Sequence, residues 1–151
     1  MLAFACPLIR GTAINTVSIW IACINSRVRE QAILSYEEQA ALKESLHHFL
    51  ARIPFETLAG QIALEHGYQE KDIRSLFDTF ANESLVTLDL IVADLDTKHR
   101  MLEVGSGLCL TSLFLKHQGF TIIALEPALG GFDIFECVKN AILKHFSHLK
   151  L

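Results

Sequence analysis

Between residues 27 and 99, apolar side chains recur every three or four positions, which predicts a series of amphipathic helices. The first should begin at Ser35, because Ser35 and Glu38 have the spacing of a capping box, in which each side chain bonds a free backbone N–H group. A second helix is expected over 55–66, with Gly67 as its C-terminal cap. Two further helices are expected after it, the last of them capped by Asn82. Their apolar positions are Ile73, Leu76, Phe77 and Phe80, followed by Leu85, Leu88, Val92 and Leu95.

After residue 100 the pattern changes to short apolar runs interrupted by glycine. Residues 101–104 form a run that stops at Gly105, residues 108–117 are helix-like, and residues 120–125 are rich in β-branched side chains. The order strand, glycine turn, helix, strand, helix predicts an α/β fold. We expect the start of a Rossmann-like parallel sheet (β-α-β-α) preceded by a helical N-terminal region. The last helix should carry Ile134, Val138, Ala141, Ile142 and Leu149 on one face.

Residues 1–26 contain a single charged residue, Arg10. Their apolar stretch over 13–24 is shorter than the ~20 residues that a bilayer requires, and no good signal-peptide cleavage site follows it. A buried strand or helix, or a poorly ordered lead-in, is favoured over a membrane or export role. The chain thus divides into an apolar segment of open status (1–26), a helical lead-in (27–99) and an α/β unit (100–151).

Composition narrows the classes of function. The chain has 151 residues, of which 51% are hydrophobic and 20% charged, so it can bury a core and is not disordered. Its net charge of −4 disfavours a nucleic acid or an anionic membrane as partner. The four cysteines form no C-x-x-C pair, which indicates reduced thiols in the cytoplasm and gives no sign of a metal site.

The glycine turn and one acidic residue carry the candidate chemistry. Glycines after a strand let the backbone approach a ligand closely and turn into a helix, whose N-terminus offers free N–H groups. Glu126 follows the second strand, 21 positions after Gly105, where a carboxylate can accept hydrogen bonds from both ribose hydroxyls. A glycine turn can also bind nothing, but the strand, the helix and the acid around this one favour a nucleoside ligand.

The segment Glu-Val-Gly-Ser-Gly-Leu-Cys at 103–109 resembles the first motif of class I S-adenosylmethionine-dependent methyltransferases, acid-x-G-x-G-x-G. Leu-Glu-Pro at 125–127 is similar to that family's acid at the end of the second strand. The sequence departs from the motif at Cys109, which replaces the third glycine. A nicotinamide-binding oxidoreductase half is disfavoured, because Leu110 stands where the dinucleotide fingerprint requires glycine and Glu103 is the acid that separates the two motifs.

The resemblance implies S-adenosylmethionine as cofactor and a role for each motif residue. Glu103 would lie near the amino-acid portion of the cofactor and contact its ammonium group. Gly105, Ser106 and Gly107 would line the methionine and ribose portion, and Glu126 would hold the ribose hydroxyls. The helical lead-in would cover the cofactor or shape the substrate pocket.

The resemblance also implies an incomplete enzyme. The family's fold has seven strands, with catalytic or substrate groups after the fourth, whereas this chain ends at Leu151, after the second strand of the motif region and its helix. We expect a truncated or split methyltransferase that is inactive alone and requires a missing C-terminal half. The unpaired flank of strand 120–125 should favour self-association. A catalytically inactive module that binds a nucleotide or another protein stays open as the alternative.

Overall fold

The computed structural model describes residues 20–23, 34–126 and 133–151, and its helical region begins where the capping signal predicts. Helix α1, Tyr36–Ala51, follows Ser35, whose Oγ accepts a hydrogen bond from the Glu38 backbone N–H at 3.2 Å. The Glu38 carboxylate accepts one from the Ser35 N–H at 2.7 Å. The predicted capping box is therefore confirmed.

Replacing Ser35 with alanine should lower the free energy of unfolding by about 1 kcal/mol, because α1 loses the side-chain acceptor for one of its first N–H groups. Urea unfolding followed by circular dichroism measures the change. Ser75→Ala is the matched control, since Ser75 is exposed inside a later helix, where alanine has the higher helix propensity. Equal midpoints for the Ser35 variant and wild type would show that the cap contributes nothing.

Two further helices follow α1, and the second is longer than predicted. Helix α2, Phe55–His66, has the predicted bounds, and Gly67 ends it with a φ of +75°. Helix α3 runs without interruption over Glu70–Ile91, so the prediction of two helices with a cap at Asn82 is wrong. The buried positions of α3 that explain this are Ile73, Phe77, Ser84 and Leu88. They are four, seven and four positions apart, so one continuous helix turns all of them towards the core.

A small mixed sheet lies after the helical region. Strand β1, Trp20–Cys23, runs antiparallel to strand β2, Arg100–Val104. Strand β3, Thr121–Leu125, runs parallel to β2 on its other side, which gives the order β1-β2-β3. A strand was one of the expectations for the segment 1–26; the rest of that segment lies outside the described residues.

Two helices accompany the parallel strands. Helix α4, Leu110–His117, connects β2 to β3, and helix α5, Asp133–His145, follows β3. A helical region followed by a parallel strand pair is thus confirmed. Leu149 does not lie on the last helix as predicted, because α5 ends earlier and a 3₁₀ turn, Ser147–Leu149, follows it. None of the helices in the described ranges has both the length and the apolar character of a membrane span.

The hydrophobic core lies between the helices and one face of the sheet. Met101 of β2 and Ile122 of β3 are neighbours across the parallel pair, and each is 2% exposed. On the opposite face of β3, Ile123 and Leu125 are 53% and 51% exposed. The described helices therefore cover one face of the parallel pair and leave an apolar strip of β3 accessible.

Candidate functional site

The glycine turn joins β2 to α4 and is attached to the end of β3. Gly105 and Gly107 have φ angles of +74° and +53°, in the left-handed region that favours glycine. The Gly105 N–H donates a hydrogen bond to the Leu125 carbonyl at 2.8 Å, which holds the turn beside the last residue of β3. The ends of both parallel strands and the start of α4 therefore meet at one place.

Cys109 stands in the position of the motif's third glycine and also has a positive φ, +62°. Its N–H donates to the Ser106 carbonyl at 2.7 Å, and its Sγ lies 3.3 Å from the Ser106 Oγ. The left-handed conformation costs a residue with a Cβ about 1–2 kcal/mol, so the turn keeps a shape that glycine would adopt more easily. Burial raises the pKa of the Cys109 thiol, which suits a packing side chain better than a nucleophile.

Glu103 is a buried acid directly before the turn. It is 1% exposed, and its carboxylate accepts a hydrogen bond from the buried Ser112 hydroxyl of α4. Burial raises the pKa of Glu103 to about 7; the hydrogen bonds with Ser112 oppose this rise, and the negative charge of Glu126 adds to it. The α4 helix thus orients a carboxyl group that changes protonation near neutral pH.

Glu126, the residue after β3, reaches back to the turn. Its Oε2 accepts a hydrogen bond from the Gly107 N–H at 2.7 Å. Pro127, the last residue of the similar segment, lies outside the described residues. The folded chain brings together around one turn all five residues predicted from the sequence: Glu103, Gly105, Ser106, Gly107 and Glu126.

Phe80 of α3 packs directly on the turn, which the sequence patterns did not predict. A Cβ added to Gly107 would lie 2.5 Å from the Phe80 Cδ1 and closer still to its Cε1, so glycine alone fits beneath this ring. The Phe80 ring lies 5.5 Å from that of Phe135 on α5, and the Lys139 ammonium lies 5.3 Å from the Phe135 ring centre. Nothing in the helical spacing separates Phe80 from the core residues of its stripe, so no sequence signal marks this contact.

Glu83, an acid on α3, is a second residue that the sequence patterns did not single out. It lies on α3 three positions after Phe80, and its Oε2 is buried without a hydrogen-bond partner among the described residues. Burial raises the pKa of Glu83, as expected for a carboxylate that lacks a donor. An acid on the same helix face as an apolar stripe is the signal that could have identified it.

The residue types at the turn fit S-adenosylmethionine, which would need an acid near its ammonium, a close backbone approach and an acceptor for its ribose hydroxyls. Glu103, the glycines and Glu126 supply these groups. The surroundings of Gly107, however, are already occupied by the chain itself, because its N–H bonds to Glu126 and the Phe80 ring fills the space that a Cβ would take. Two depressions of about 290 and 340 Å³ lie beside α1 and α3, and neither is lined by residues of the turn. The residue types at the turn therefore match the groups of the cofactor, but the Glu126 and Phe80 side chains occupy the space around Gly107.

Comparison with known proteins assigns no family. No family model matches the sequence, and neither a curated protein nor a solved structure matches it at a significant level. Within the described residues, no group of three or more histidine, cysteine, aspartate or glutamate side chains is placed to hold a metal ion. The geometry of the turn is therefore the basis for assigning a function.

Proposed function

We propose that residues 100–151 are the start of a Rossmann-like unit that binds S-adenosylmethionine, as in class I methyltransferases. One observation carries the proposal. Two acids near the ends of adjacent parallel strands, Glu103 and Glu126, flank a turn in which Gly105 and Gly107 have positive φ angles. Glu126 accepts a hydrogen bond from the Gly107 N–H, and Glu103 lies two positions before Gly105. Strand ends of parallel sheets are the usual location of nucleoside sites in α/β proteins.

Each residue of the turn has a role in this proposal. Glu103 lies near the ammonium of the cofactor, and Ser112 holds its carboxyl group in place. Gly105, Ser106 and Gly107 line the methionine and ribose portion. Glu126 accepts hydrogen bonds from the ribose hydroxyls. When bound, the cofactor would supply an activated methyl group, and no described residue is assigned a catalytic role in its transfer.

The charges at the turn favour this cofactor over a dinucleotide. The half-buried carboxylate of Glu126 lies at the turn, where a ligand with an ammonium and a sulfonium group gains attraction. Glu103, whose pKa of about 7 leaves it partly protonated at neutral pH, adds a smaller attraction. The same negative charge would repel the pyrophosphate of NAD. This electrostatic preference is independent of the missing third glycine of the dinucleotide fingerprint.

Titration calorimetry of the chain tests the proposal. S-adenosylhomocysteine should bind at least about ten-fold more tightly than NAD, which corresponds to a difference of about 1.4 kcal/mol or more in binding free energy. Glu126→Gln keeps the shape of the side chain but removes its charge, and hydrogen bonds to a charged acceptor contribute roughly 1.5–3 kcal/mol. Affinity for S-adenosylhomocysteine should therefore fall by about ten-fold or more.

Glu37→Gln is the matched control, because Glu37 is an exposed carboxylate on α1, far along the chain from the turn. It should leave the dissociation constant unchanged. An equally unchanged constant for Glu126→Gln would place the ribose elsewhere. Tighter binding of NAD than of S-adenosylhomocysteine would overturn the assignment.

The packing of the turn favours a second candidate, a catalytically inactive module that interacts with another protein. Glycine at 107 is required by the Phe80 ring alone, whether or not a ligand binds. The exposed Ile123 and Leu125 of β3 offer an apolar strip to a partner. Failure of both S-adenosylhomocysteine and NAD to bind the folded chain would favour this candidate.

A further inference from the structure

We infer that Phe80 is an aromatic gate over the glycine turn, which must move aside before a nucleoside ligand can reach the backbone of Gly107. This inference rests on the proposed function, because it concerns the regulation of the same site. The ring belongs to α3 in the helical lead-in, whereas the turn belongs to the α/β unit. Access to the turn is thus controlled by a side chain from another part of the chain.

The contact leaves no space for a ligand atom on that side of the turn. A single methyl-sized atom at the Cβ position of Gly107 would lie 2.5 Å from the Phe80 Cδ1, well inside van der Waals contact. A ligand that approaches the Gly107 Cα from this side must displace the ring. The N–H of the same residue is occupied by the Glu126 carboxylate at 2.7 Å.

Phe80 lies at the border of the core, where it packs against the buried residues without being one of them. Phe80 is half-buried, whereas Ile73 and Phe77 of the same helix are 0% and 8% exposed. Ile73 and Phe77 hold α3 in place, so a change of the Phe80 side-chain rotamer needs no displacement of the helix. The Phe135 ring lies 5.5 Å from the Phe80 ring, centre to centre, and this contact stabilises the closed arrangement.

Only molecules with the gate open can bind, so the apparent affinity equals the intrinsic affinity multiplied by the open fraction. If the binding-competent state is populated at about one molecule in ten or fewer, the apparent dissociation constant rises by about ten-fold or more. Removing the ring abolishes this penalty. Phe80→Ala should therefore bind S-adenosylhomocysteine at least about ten-fold more tightly than wild type.

Titration calorimetry with S-adenosylhomocysteine on the full chain tests the gate, with urea unfolding to confirm that each variant is folded. Phe80→Leu removes the ring but keeps apolar volume, so it should show a smaller gain and replaces Phe80→Ala if that variant does not fold. Leu85→Ala is the matched control: Leu85 is half-buried on α3, about 140° around the helix from Phe80, and should leave affinity unchanged.

The outcomes separate the gate from the function it regulates. Tighter binding by both Phe80 variants supports the gate. Equal affinity of wild type and the Phe80 variants overturns the gate and leaves the proposed function standing. Absence of binding in all of them overturns both.

Discussion

Replacing Phe114 with alanine should lower the free energy of unfolding by about 3–5 kcal/mol, the range for truncating a buried phenylalanine. Phe114 is 0% exposed in α4, and its ring centre lies 5.7 Å from that of Phe49 in α1. Phe49 also stacks on Phe146, the residue that follows α5, with 5.0 Å between the ring centres. Loss of the Phe114 ring therefore opens a cavity where three separate segments of the chain meet.

Urea unfolding followed by circular dichroism measures this change. Small domains have a total stability of about 5–15 kcal/mol, so the variant should unfold at a much lower denaturant concentration. Leu64→Ala is the control, because Leu64 is 87% exposed on α2 and its truncation should change stability by no more than about 0.5 kcal/mol. A loss below about 1 kcal/mol for Phe114→Ala would mean that α4 does not pack against α1 as described.

The elements that could be predicted from the sequence are those set by local signals. Ser35 with Glu38 and Gly67 each act within one helical turn, and both helix boundaries are confirmed. Asn82 is also a local signal, but the apolar face of α3 continues through it, and burial of that face outweighs one cap. The antiparallel position of Trp20–Cys23 could not be predicted, because it pairs with residues about eighty positions later and no local pattern encodes that pairing.

At the candidate site, too, features set by local sequence could be predicted and contacts between distant residues could not. The turn at Gly105 and Gly107 and the acid Glu126 follow from the order of strand, glycine and strand, so spacing alone located them. Phe80 lies 27 positions before Gly107, and its contact depends on how α3 packs against the turn. The burial of Glu103 likewise depends on α4 covering that face of β2. Spacing and the family resemblance therefore indicated the candidate residues, but not that other helices cover them.

The buried carboxyl group of Glu103 should make stability depend on pH. Burial raises its pKa to about 7 in the folded chain, from an ordinary value of 4.5 that applies to the unfolded chain. Between these two values the folded state holds a proton that the unfolded state releases, so stability falls as the pH rises. The contribution is fully present below about pH 4.5 and lost above about pH 7. At about 1.4 kcal/mol per pKa unit, it amounts to about 3 kcal/mol.

Glu103→Gln removes the titration and keeps an oxygen that can accept the Ser112 hydrogen bond. Its unfolding free energy, measured in urea from pH 5 to pH 8, should fall less steeply than that of wild type, by up to about 3 kcal/mol over the range. Comparing the slopes of unfolding free energy against pH removes the contribution of the other titrating groups, which both proteins share. It also removes any pH-independent cost of the new amide. Glu37→Gln is the control for loss of one carboxylate.

Ser112→Ala tests the same carboxyl group in a second way, by shifting its pKa instead of removing its titration. The hydrogen bonds with Ser112 lower the pKa of Glu103 against the effect of burial, so their removal should raise that pKa further. The loss of stability should then begin at the same pH as in wild type but continue to higher pH and become larger, because only the pKa of the folded state changes. Glu103→Gln should again show the shallowest fall. Parallel curves for wild type and Glu103→Gln would contradict the assignment, because a carboxyl group that is 1% exposed cannot ionise without cost.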